Sequence, residues 1–165
     1  MSKAFTSEET ADDPLVVAPR PPLPAGVSNY VTARGLALLR AELEALERER
    51  HELVAAGDPG VRLSTLAKRL GELSARITGA VEVDESAHPP DEVRFGATVT
   101  VRDANGQQHR YQIVGVDEAS AREGRVAFVS PVARALLGRR VGDTTALRTP
   151  RGEEELEVVE IRYGG

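Results

Sequence analysis

Two matched leucine runs on either side of a short break constrain this chain more than any other feature in it. Leu36, Leu39, Leu43, Leu46 and Leu53 recur at three- and four-residue steps with one seven-residue gap, and Leu63, Leu66, Leu70, Leu73 and Ile77 repeat the rhythm after Gly57-Asp58-Pro59-Gly60. A period near 3.5 puts each set on one face of a helix. The Pro/Gly tip between them turns the chain back, so the spacing predicts an antiparallel helical hairpin, a short coiled coil, over residues 29–83 with those ten side chains as its seam. Thr32 is placed to cap the first helix by accepting from a first-turn N–H, with Tyr30 or Val31 as a staple. At 1.5 Å per residue, Leu36 to Leu53 makes an arm of roughly 25 Å. The second helix is expected from about Leu63 to about Val81, with Gly71 and Gly79 each weakening it by about 1 kcal/mol relative to alanine.

The flanks read differently. Residues 1–28 combine acidic and Ser/Thr positions with Pro19-Arg20-Pro21-Pro22-Leu23-Pro24, too little apolar area to offset ordering entropy, and are expected as a disordered Pro-rich tail. Residues 84–94, with Asp84, Glu85, His88, Pro89 and Pro90, read as a linker. Beyond them the period becomes two. Ala97, Val99 and Val101 alternate with Thr98, Thr100 and Arg102, Asn105-Gly106 marks a hairpin turn, and His109–Val116 returns with a bulge at Gly115. A further strand is expected near Arg125–Val129. Ser130 then caps a short helix, Val132–Leu137, with Pro131 at its first position and Gly138 as its stop. Thr144–Arg148 and Glu154–Tyr163 form a last pair. The whole is an α+β chain: a helical hairpin followed by an antiparallel sheet with one short helix over residues 95–165.

Charge and composition narrow the function. The 165 residues carry a formal charge of −5 and contain no cysteine, which removes disulfide and thiolate metal chemistry and fits a reducing, cytoplasmic setting. Apolar runs fall far short of the ~20 residues a membrane span needs, and no signal-peptide pattern opens the chain. Duplex DNA calls for a concentrated cationic face. Here basic and acidic side chains balance in the hairpin and acids exceed bases elsewhere, so a protein partner is expected, with the chain a monomer. His51, His88 and His109 lack ligand-like spacing, and no phosphate loop, Ser/His/Asp set or CxxC occurs.

Four stretches then resemble the GreA/GreB transcription elongation factors of bacteria: Phe95-Gly96-Ala97-Thr98-Val99, Ile113-Val114-Gly115-Val116-Asp117-Glu118, Ser130-Pro131-Val132-Ala133-Arg134-Ala135-Leu136-Leu137-Gly138 and Val141-Gly142-Asp143. Asn29-Tyr30-Val31-Thr32 with the leucine arm is similar to the start of the Gre coiled coil, and Met1-Ser2-Lys3-Ala4-Phe5-Thr6 to the opening of GreB-like members. The resemblance implies an FKBP-like C-terminal domain that docks at the rim of the RNA polymerase secondary channel, through the region of Ser130, Pro131 and Arg134. It also implies a coiled coil that presents an Asp-x-x-Glu pair to the polymerase's catalytic metal, a shared Mg²⁺ and no cofactor or metal of its own, for cleavage of backtracked RNA. Contact with nucleic acid would be indirect, inside the elongation complex.

The tip departs from that pattern. Asp58 supplies the first acid and Val61 stands where the glutamate belongs, while both arms are about one heptad short, as in the reduced coiled coil of Rnk-like members. The expectation is a polymerase-binding regulator that is not itself an enzyme, with cleavage stimulation weak or lost. The alternatives are an active cleavage factor using Asp58 with Glu52 or another acid, and a polymerase-independent adaptor. A prolyl isomerase, suggested only by the implied fold, finds just Phe95, Tyr111, Phe128 and Tyr163 to line a site.

Overall fold

The computed structural model of the chain describes residues 20–58 and 60–164; most of the expected tail, with the GreB-like opening, lies outside them. The described residues form two compact units, residues 20–22 with Leu39–Thr78, and Leu23–Leu38 with residues 79–164.

The hairpin is built from α1 (Ala33–Ala55) and α2 (Val61–Thr78), about 34 Å and 27 Å long at 1.5 Å per residue. Every one of the ten seam side chains is buried or half-buried, while the positions between them are mostly exposed. Leu39, Leu66 and Leu73 are the most enclosed. The first arm stops earlier than Pro59 requires. Gly57, at φ +70°, takes the left-handed position after the helix, the Asp58 N–H reaches back to the Leu53 carbonyl (3.1 Å) and the Gly57 N–H to that of Val54 (3.2 Å). These two bonds are a Schellman stop, which satisfies carbonyls the helix end would otherwise leave open.

The second arm ends three residues before its expected limit. After Gly79 the chain extends as β2 (Ala80–Glu82), which pairs in parallel with β1 (Asn29–Val31), Tyr30 beside Val81. Val81 marks the approximate expected end of this helix, but Gly79 disfavours helix and a waiting strand edge offers ladder bonds instead.

A five-stranded sheet, ordered β5-β4-β3-β7-β6, carries the rest: β3 (Thr98–Arg102), β4 (Gln108–Val114), β5 (Arg125–Ala127), β6 (Thr144–Thr149) and β7 (Gly152–Arg162). The expected alternation holds, since Ala97, Val99 and Val101 are fully buried and join Ile113, Leu156, Val158, Ala133 and Leu136 in one core. Two expectations need correction. The sheet is mixed, because β5 runs parallel to β4; a short connection with a turn of 3₁₀ helix at Ala121–Glu123 brings the chain round before it pairs. Gly115 makes no bulge but admits a close approach: a Cβ there would sit 2.5 Å from the Tyr30 carbonyl oxygen. The segment expected as a linker also contributes structure, with a 3₁₀ turn at Glu85–Ala87 capped by Asp84 and Val93 fully buried in the core. No helix among the described residues is long and apolar enough to cross a membrane.

The β3–β4 turn shows how short-range chemistry closes a hairpin. The Asp103 carboxylate accepts from the Asn105 and Gln107 N–H groups (2.9 Å each) and faces His109 Nε2 at 2.9 Å, while Gly106 takes φ +80°. The His109 contact, with the backbone donors behind it, holds the Asp103 carboxyl below the usual carboxylate range. A lowered folded value means this turn is supported above the ordinary carboxylate range and loses that support as pH falls through Asp103's own value. Replacing His109 with alanine is expected to raise the Asp103 pKa toward the ordinary carboxylate range, read by NMR titration of its carboxyl carbon. In the hairpin, Leu73→Ala is expected to cost about 2–5 kcal/mol in a denaturant melt, against about 1 kcal/mol or less for the half-exposed Leu38→Ala.

Candidate functional site

Three features carry the chemistry expected of this chain: the helix Pro131–Leu136, the hairpin tip, and the entry to α1. The short helix is α3 (Pro131–Leu136). The Ser130 hydroxyl accepts from the Ala133 N–H (3.3 Å), and Pro131 at the first position gives up no needed donor. Ala133 and Leu136 go fully into the core, which leaves Pro131 and Arg134 on the exposed side. Gly138, at φ +84°, turns its N–H onto the Val93 carbonyl (2.8 Å) and closes the helix against the sheet. The structure thus brings Ser130, Pro131 and Arg134 together on one small, rigidly anchored element.

At the tip, Asp58 is half-buried and its Oδ1 accepts from the Gly60 N–H (3.3 Å). This contact spends one carboxylate oxygen on shaping the turn. Val61 is 76% exposed and Val54 60%, so apolar methyl groups flank the only acid of the loop. Among the described residues, no three His, Cys, Asp or Glu side chains cluster as a metal would need. One carboxylate with one engaged oxygen would supply only a small part of the near-octahedral oxygen shell that Mg²⁺ takes. Glu52, six residues before Asp58, is exposed on the last turn of α1. His109 is committed to Asp103 and His88 packs against the Tyr163 ring, centroids 5.7 Å apart.

The entry to α1 holds a residue set that the sequence reading did not single out. Thr32 caps the helix as expected, its Oγ1 accepting from the Gly35 N–H (2.9 Å). The same hydroxyl donates to Glu118 Oε1 at 2.5 Å, and Arg34 donates to Glu118 Oε2 at 2.9 Å. The Glu118 side chain is only 3% exposed. A Cβ on Gly35 would lie 2.7 Å from Glu118 Oε1, so glycine is what lets the carboxylate reach the helix end. Nearby, Tyr30 meets Phe128 edge-on at 5.5 Å, and Phe128 meets Phe95 likewise at 5.7 Å. Thr32 and Glu118 are 86 residues apart, and nothing in either local pattern announces the partner.

Comparison with known proteins decides what this arrangement belongs to. A family described as "Transcription elongation factor, GreA/GreB, C-term" matches residues 88–163. Transcription elongation factor GreB of Neisseria meningitidis serogroup A is 34% identical over 153 residues, covering 82% of this chain and 94% of that protein. The chain belongs to the GreA/GreB family. GreB of Pseudomonas aeruginosa is 37% identical over 161 residues (87% and 95% covered), and GreA of a Methylobacterium is 38% identical over 153 (82% and 97%). Among solved structures, the Thermus thermophilus GreA factor homolog Gfh1 is 25% identical with a TM-score of 0.41, covering 82% of this chain and 99% of that one. An alignment of 153 positions that engages 82% of the 165 residues leaves roughly 18 positions of the Neisseria GreB without a counterpart here.

Glu118 is the residue whose loss should be felt most at this site. Glu118→Ala strips the Thr32 hydroxyl and the Arg34 guanidinium of their acceptor at once, and is expected to cost about 2–4 kcal/mol of stability. Arg34→Ala leaves the enclosed Glu118 Oε2 without its donor and should cost about 1–3 kcal/mol. Chemical denaturation of the two variants beside the parent checks the ratio.

Proposed function

We propose that this protein is a cytoplasmic, RNA polymerase-associated regulator of transcription elongation that docks at the rim of the secondary channel through its sheet unit and stimulates transcript cleavage weakly or not at all. Family membership supports the polymerase as partner. The capped, core-anchored α3 supports docking through Ser130, Pro131 and Arg134, because a rigid element loses little freedom on binding. The observation that carries the second half of the reading is the tip: Asp58 is held by its own turn, and the exposed Val61 stands three residues on, where the family's second acid belongs.

Such a protein acts by occupancy. A hairpin short of about 18 positions relative to its relatives, if the loss falls in the two arms, presents a blunt apolar tip where a cleavage factor presents two carboxylates. It would modulate pausing or compete with cleavage factors, and the chain would not be an enzyme in its own right. Any contact with nucleic acid would then come only within the elongation complex, and the free protein is read as a monomer.

A backtracked elongation complex tests this directly. The parent protein is expected to shorten the transcript little above the factor-free rate, and Asp58→Ala to leave that residual rate unchanged. Val61→Glu, which restores the Asp-x-x-Glu spacing, should raise cleavage by about tenfold, equal to about 1.4 kcal/mol of barrier. Strong cleavage by the parent that vanishes in Asp58→Ala would instead establish an active cleavage factor. Arg134→Ala should weaken binding to core polymerase while leaving the fold intact; failure of the parent to bind core polymerase would favour the adaptor reading.

A further inference from the structure

We propose that residues 20 and 21 form a strap that ties the two arms of the hairpin together. The Arg20 guanidinium contacts Glu42 Oε1 on α1 at 2.5 Å, and the adjacent Pro21 carbonyl accepts from the Arg76 guanidinium of α2 at 2.6 Å. Two neighbouring residues of one segment therefore hold one side chain from each arm. Glu42 lies 16 residues before Asp58 and Arg76 lies 18 after it, so the two anchor points sit at matching heights on an antiparallel pair.

The chemistry of the segment suits the task. Pro21 and Pro22 favour extended polyproline geometry, which makes no internal hydrogen bonds and leaves its carbonyls pointing outward for other donors. Because φ is already fixed at each proline, little backbone freedom is lost when the segment lies down. The Arg20 side chain is 17% exposed and that of Glu42 46%, so the pair is better shielded from salt than a fully exposed one. The segment sorts with the hairpin in its pattern of contacts, despite preceding α1 in the chain.

A brace at this level has a mechanical consequence. The tip lies roughly 24 Å farther along at 1.5 Å per residue, so splaying of the arms at Glu42 and Arg76 is carried out to Asp58 and Val61. The arm that gains most is α2, which contains Gly71 and is the shorter of the two. The strap is a property of the free protein and does not depend on the polymerase reading.

Hydrogen exchange on the full-length protein tests it. Arg20→Glu, which sets two carboxylates against each other, is expected to speed exchange of the α2 amides about fivefold, the scale of a partly exposed ion pair. Amides of β3 and β7 should stay unchanged. Combining Arg20→Glu with Glu42→Arg restores the attraction with its sign reversed and should return α2 protection to within about twofold of the parent. Unchanged exchange in Arg20→Glu, or a double variant no better protected than the single one, would overturn the strap.

Discussion

The rest of the structure depends on one shared hydroxyl. Thr32 Oγ1 accepts from the Gly35 N–H and donates to the buried Glu118 carboxylate, so the group that starts α1 is also the group that anchors it to the β4–β5 connection. A carboxylate so enclosed must be answered on both oxygens, since an unpartnered buried charge costs several kcal/mol. Thr32 answers one and Arg34 the other. Two glycines make the geometry possible: Gly35 leaves room for the carboxylate, and Gly115 lets the Tyr30 carbonyl come close. With those contacts made, β1 is held in place for β2, and the first turn of the long helix sorts with the sheet unit.

The hairpin lives under a different constraint. Two helices in contact enclose one narrow seam, and only Leu39, Leu66 and Leu73 are nearly or fully buried in it. Stability has to be gathered at the ends, through the Schellman stop at Gly57, the Asx turn at Asp58 and the ties from Arg20 and Pro21. This places Asp58 in a structural role before any catalytic one. That carboxylate, with valines on either side, has one oxygen already engaged in shaping its own loop.

The short helix α3 stands between these cases. Its cap, its first-position proline and its closing glycine lie within nine consecutive residues, and it buries the apolar side chains of Ala133 and Leu136. Short-range chemistry is enough to form it, and the core contact of Ala133 and Leu136 is enough to hold it still. The Ser130 cap and the helix that follows it are therefore legible in the sequence, as are the ten seam positions and the alternation of Ala97, Val99 and Val101.

What the sequence determined by itself is whatever depends on period and on local hydrogen bonding: helix faces, strand faces, the Thr32 and Ser130 caps, and the turn at Asn105-Gly106. Each is decided within a few residues, where backbone geometry leaves few choices. The tertiary structure alone decided the direction of β5, the strand at Ala80–Glu82 where the helix was expected to end, the purpose of Gly115, and the pairing of Thr32 with Glu118. Those outcomes turn on which distant segment arrives alongside. A period-two run has the same pattern whether its neighbour is parallel or antiparallel, and a buried carboxylate gives no local sign of the hydroxyl that will meet it from 86 residues away.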